Sequence, residues 1–117
     1  MEAKYLHEGK AIDYTPSVDV PAGTVVAISE LIGITHRDIA SGQLGALSVQ
    51  GVYEVVKGIG AGKAITEGMK VYWDAANKVV TAAQYDDSEP PVALPYMGKA
   101  VKTAGDNDAT VLVRLEQ

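Results

Sequence analysis

GMKVYWDAANKVVT, residues 68–81, holds the only tryptophan of the chain between two β-rich segments. Val71 and Trp73 sit two positions apart and share one face of a strand, leaving Lys70 and Tyr72 on the other. Val79 and Thr81 repeat that spacing beyond the break. Asp74 suits the first position of a type I turn, because its carboxylate accepts backbone N–H groups further along. Asn77 tolerates the left-handed backbone needed to rejoin the second strand. Two strands and a short connection make a β-hairpin. Trp73 reads as its packing anchor, with Asp74 and Asn77 holding the turn.

The same pattern extends in both directions. Short runs rich in Val, Ile, Tyr and Thr alternate with turn residues, the mark of a compact all-β domain. Strands are expected at Ala11–Tyr14, Thr24–Ser29, Leu31–Thr35, Ala46–Lys57, Lys70–Trp73, Lys78–Thr81, Tyr96–Val101 and Thr110–Glu116. In the last, Val111, Val113 and Leu115 face one way and Thr110, Leu112, Arg114 and Glu116 the other. Gly51 interrupts the long run Ala46–Lys57 and is expected to mark a bulge or bend. Helix signals are weak: Glu2–His7 is too short to hold alone, and Ile65–Gly68 offers at most one turn. The expected fold is therefore all-β with at most one short helix. It is a compact β-barrel or sandwich-like single domain over residues 11–117, preceded by an extended N-terminal arm at 1–10. Asp86–Pro91 is acidic, ends in a proline pair and reads as an exposed loop.

A small motif recurs. Val20-Pro-Ala-Gly23, Ile39-Ala-Ser-Gly42 and Ile65-Thr-Glu-Gly68 each set a β-branched residue three before a glycine, ahead of another apolar run. The unequal spacing rules out a solenoid, so these are three similar turns using glycine to reach positive φ.

Composition bounds the function. With 117 residues the chain makes one domain, and with no cysteine it has neither disulfides nor thiolate chemistry. Fifteen acidic against ten basic residues give a net charge of −5, and the lysines are scattered, so no footprint for nucleic acid forms. The N-terminal MEAKYLHEGK lacks the apolar core of a signal peptide. The most apolar stretch, VPAGTVVAISELIGI, is too short and interrupted to span a bilayer, so no membrane partner is expected.

Catalytic and cofactor signatures fail one by one. In Gly58-Ile-Gly-Ala-Gly-Lys-Ala64 the glycines are too close for a P-loop, and Ala64 has no hydroxyl for magnesium. It reads as a mobile glycine-rich loop, and no cofactor is expected. His7 and His36 lie in different segments; His36 has only Asp38 as a nearby partner, short of a metal site. No serine, threonine or carboxylate pair shows the neighbours that nucleophilic or acid–base catalysis needs. No catalytic residue and no enzyme are expected.

Taken together, "LHEGKAIDYT", "PAGTVVAI", "LIGIT", "DIASGQLGALSVQGVYEVVK", "EGMKVYWDAANKVVT", "MGKAV" and "TVLVRL" resemble a family of small bacteriophage head-decoration, or capsid cement, proteins. The likeness covers most of the chain and is one of pattern, without a motif of functional residues. The acidic loop Asp86–Pro91 is longer than the resemblance leads one to expect. The resemblance implies a β-rich virion protein, a trimer on the capsid exterior, whose partners are the major capsid protein and its own copies. It implies residence in the host cytoplasm during assembly. On that footing Lys4, Tyr5, Leu6 and His7 of the arm, with Tyr72, are the expected capsid or subunit contacts. The alternative is a free-standing β-barrel that binds a protein away from the particle.

Overall fold

A computed structural model describes residues 2–7 and 9–116. Met1 and Glu8 of the expected arm, and Gln117 at the end of the expected domain, lie outside them. The described residues contain no helix and nine strands: β1 (Ala11–Tyr14), β2 (Val25–Ile28), β3 (Leu31–Ile34), β4 (Gly45–Ser48), β5 (Gly51–Val56), β6 (Lys70–Asp74), β7 (Val79–Thr81), β8 (Tyr96–Ala100) and β9 (Thr110–Leu115). They form two antiparallel sheets of order β1-β4-β3-β2 and β5-β9-β8-β6-β7. A parallel bridge from Lys57, just past β5, to Val80 on β7 curls the larger sheet toward a barrel. The all-β single domain expected from the sequence is what the chain forms.

The expected single run Ala46–Lys57 is instead two strands, one in each sheet. Gly51 has φ 120°, open to glycine and strained for other residues, and there the chain leaves β4 of the small sheet for β5 of the large one. The bend expected at Gly51 is also a change of sheet, which strand alternation does not reveal because it carries no record of which neighbour a strand takes.

The core lies between the sheets. Val71 and Trp73 of β6, Val111, Val113 and Leu115 of β9, Met97 and Ala100 of β8 and Val55 of β5 meet Ile32 and Ile34 of the small sheet. The faces read from two-residue spacing in β6 and β9 are the buried ones. Central strand β8 pairs with β6 on one side and β9 on the other, and Gly98 faces Val71 and Leu115 at once. A Cβ at Gly98 would run into the Arg114 carbonyl, so the strands close to this distance only around glycine. In the small sheet Leu47, fully buried, packs against Gly33, and Ile39 packs over Gly45.

The recurrent turns meet in the fold. Gly23, Gly42 and Gly68 have φ of 77°, 77° and 89°. Val20 bridges Ile39, and Ile65 bridges Ala104. Around the first bridge the two turns clasp each other reciprocally. Gly23 N–H donates to the Thr35 carbonyl and Gly42 N–H to the Pro16 carbonyl. Ala22 N–H donates to Asp38 and Ser41 N–H to Asp19, each at 2.8 Å. The third turn repeats half of this against 103–104: Gly68 N–H reaches the Ala100 carbonyl, and Glu67 N–H reaches Thr103 Oγ1. Ala64 has no side-chain oxygen to complete the other half. The interaction runs the other way there, with the Ala64 N–H donating to Asp106 Oδ1.

Candidate functional site

The 68–81 hairpin is formed as read, with Tyr72 opposite Thr81, Trp73 opposite Val80 and Asp74 opposite Val79. Trp73 is 7% exposed and its backbone N–H donates to the Pro95 carbonyl. Asp74 accepts from the Asn77 backbone at 3.3 Å and from the Asn77 side-chain amide at 2.8 Å. The left-handed residue is Lys78 (φ 54°), not Asn77. Asn77 serves the turn through its side chain, and the backbone reversal falls one position later. Tyr72 is half-buried, its ring edge-on to Tyr96 with centroids 5.8 Å apart. Partial burial, then the nearby Glu116 carboxylate, pushes the Tyr96 phenol above its usual range.

The expected arm residues Lys4, Tyr5, Leu6 and His7 have no regular secondary structure and are exposed. Tyr5 and Leu6 are each 78% exposed, an apolar pair in water.

Two clefts flank the hairpin connection. One, of about 420 Å3, lies beside β5 and is lined by Tyr53, Val55, Trp73, Ile34, Val25 and Lys78 among others. Among the described residues β5 has no strand partner along this side before the Lys57–Val80 bridge, and β2 pairs only with β3. On the outer face of β5, Val52 and Val56 are 57% and 54% exposed and flank the exposed Glu54. Across from them on β9 stand Arg114, Leu112 and Thr110. The other cleft, of about 550 Å3, lies between the glycine-rich loop, the hairpin connection and the acidic loop, with Lys63, Asp74, Asp86 and Asp87 in its lining.

The glycine-rich loop is tied down. Gly60 N–H donates to the Asp106 carbonyl and Ala64 N–H to the Asp106 carboxylate, so two donors that a phosphate would need are spent on Asp106, one on its carbonyl and one on its carboxylate. Beneath it Lys57, only 2% exposed, donates from Nζ to the Gly58 carbonyl at 2.7 Å and to the Asp106 carbonyl at 3.5 Å. Lys57 was unreadable from sequence: a lysine ending a strand gives no sign of burial. His36 and Asp38 do not converge. His36 Nε2 lies 2.8 Å from the Tyr53 hydroxyl, while Asp38 locks the neighbouring turn. Among the described residues no three His, Asp or Glu side chains gather as a metal site, and no helix is long and apolar enough to cross a membrane.

The acidic loop is exposed from Asp87 to Ala93 and closed by a Tyr85–Ala93 bridge. Asp86 Oδ1 accepts from the Val92 and Ser88 backbones at 2.8 and 3.0 Å. Those N–H groups, Val92 first, hold its carboxyl below the ordinary aspartate range.

The described residues form an all-β frame with exposed apolar side chains and a glycine-rich loop held by Asp106. The chain belongs to the phage cement protein family, whose pattern matches residues 6–115, nearly its full length. No curated protein and no solved structure matches it. Membership gives the chain a structural role in association with the phage capsid, and implies a non-enzymatic one.

Proposed function

We propose that the protein binds the exterior of the assembled shell as a trimer where major capsid protein subunits meet, and stabilises the shell there. The match to phage cement proteins over residues 6–115 carries this reading. The physics is linkage: a protein that binds only the assembled shell lowers its free energy relative to the open one by mass action, once per copy bound. The protein waits in the host cytoplasm until shells are available. It needs no cofactor, nucleic acid or membrane, only contact surfaces on a rigid frame. Lys4, Tyr5, Leu6, His7 and Tyr72 make contacts outside the subunit, while Trp73, Asp74 and Asn77 fix the hairpin that presents Tyr72.

Deleting residues 1–8 tests the role of the arm. The shortened protein keeps its β-sheet circular dichroism and loses shell binding in co-sedimentation. Undiminished binding would remove the arm from the contact.

A further inference from the structure

We propose that the N-terminal arm of one copy pairs, as an added antiparallel strand, with the free edge of β5 in a second copy, seating Tyr5 in the cleft beside Trp73. This deepens the reading of Lys4–Leu6 as contact residues and rests on it.

The arm and the edge match position by position. Two-residue alternation puts Glu2, Lys4 and Leu6 on one side of an extended arm and Ala3 and Tyr5 on the other. Along β5 the exposed face carries Val52, Glu54 and Val56 and the more buried face Tyr53 and Val55, and the cleft runs along the edge from Tyr53 to Val56. Setting Lys4 opposite Glu54 in antiparallel register brings Leu6 opposite Val52 and Tyr5 opposite Tyr53. One register thus gives an opposite-charge pair, an apolar pair and an aromatic pair, each a stabilising cross-strand combination. Sliding the arm by two residues one way puts Glu2 against Glu54; sliding it the other way puts Leu6 there. A parallel arm keeps Lys4 by Glu54 but sets Tyr5 against Val55, in a ladder that is less stable per residue.

The same register answers three needs at once. Tyr5 and Leu6, each 78% exposed, leave water. The edge of β5, a row of backbone groups without a strand, gains one. The cleft of about 420 Å3 between that edge, Trp73 and the hairpin connection receives a ring.

A second copy is the occupant because of where the arm leaves the body. Gly9 lines a cleft with Arg114, Leu115 and Glu116 at the end of β9 and with Val49, Gln50 and Gly51 at the start of β5. β9 flanks β5 on one edge, and the free edge is the opposite one. The arm of the same copy therefore starts on the wrong side of the strand. Contact from arm to edge is head-to-tail, the type that closes into a ring when the rotation allows.

The chain has no cysteine, so an engineered pair reports cleanly. Leu6→Cys with Val52→Cys, both at exposed positions, should oxidise to covalent oligomers, in concentrated solution or on purified particles. Tyr5→Cys with Val52→Cys, on opposite faces, should not. Lys4→Glu or Glu54→Lys alone should weaken self-association roughly three- to fivefold by sedimentation, and the double swap should restore it. A cross-link formed within one chain would overturn the proposal in favour of the copy's own arm. No cross-link in solution or on particles, or a double swap that restores nothing, would also overturn it. Shell binding lost on deleting residues 1–8 with no cross-link would leave the arm as a shell contact and refute only its exchange between copies.

Discussion

Replacing Trp73 with alanine probes the hairpin on which the larger sheet is built. The ring is 7% exposed and packs in the cluster that joins β6, β8 and β9 to Ile32 and Ile34 of the small sheet. A buried aromatic side chain removes roughly 150–250 Å2 from water. At about 25 cal/mol per Å2 that is roughly 4–6 kcal/mol of transfer free energy, of which the alanine methyl keeps a part. The void left behind adds a cost, but Trp73 also lines the cleft beside β5, so water can enter and relieve some of it. The expected loss is about 3–5 kcal/mol, roughly a fifth or more of the stability of an ordinary domain. Tyr72→Ala, one residue away on the half-buried face, should cost less. Trp73 is the only tryptophan, so its own fluorescence vanishes with the substitution, and urea unfolding must be followed by far-ultraviolet circular dichroism. A loss under about 1 kcal/mol would refute the anchor role and place the ring's contribution outside this core.

Three further outcomes follow from single contacts. Gly98→Ala forces a methyl against the Arg114 carbonyl between two paired strands; it should cost at least the 1–3 kcal/mol typical of overpacking, and a neutral result in urea unfolding would show that β8 and β9 can part there. Asp38→Ala and Asp19→Ala each remove one half of the reciprocal clasp between the first two turns, for about 1 kcal/mol apiece, read as a shift in urea midpoint without a change in slope. Asp86 has its carboxyl depressed, so its contribution is fully present above the unfolded value of about 3.9 and is lost as pH falls through the lower folded value. The Ser88 and Val92 amide resonances should shift together in that acid window, and amides that stay fixed would show that the carboxylate does not hold the loop.

How much of this was legible depends on the range of the forces involved. Side-chain alternation is local, so the buried faces of β6 and β9 could be read directly. Turn chemistry is local too, and Gly23, Gly42 and Gly68 carry the positive φ that their recurrence called for. What escaped was pairing. Asp38 stands out in the sequence only as a neighbour of His36, and Asp19 not at all, until the fold sets each against the other's turn. Gly98 carries no mark in the sequence, yet it is the residue that lets β8 and β9 close. Asn77 was assigned the left-handed position by residue preference, whereas the structure gives it to Lys78 and uses the Asn77 amide to grip Asp74. Lys57 shows the limit most plainly: its burial depends on carbonyls of Gly58 and Asp106, the second far away in sequence. For the contact surface, the sequence marks Tyr5 and Leu6 as apolar residues among charges, but the free edge of β5 and the cleft beside it exist only once the sheets are assembled.

The most direct test of the central claim is quantitative mass spectrometry of purified virus particles, comparing this chain with the major shell protein. A shell-stabilising cement protein is present in amounts comparable to the shell protein, and mild denaturant releases it before the shell opens. Its absence from intact particles would contradict the account and leave a free-standing protein-binding module in its place.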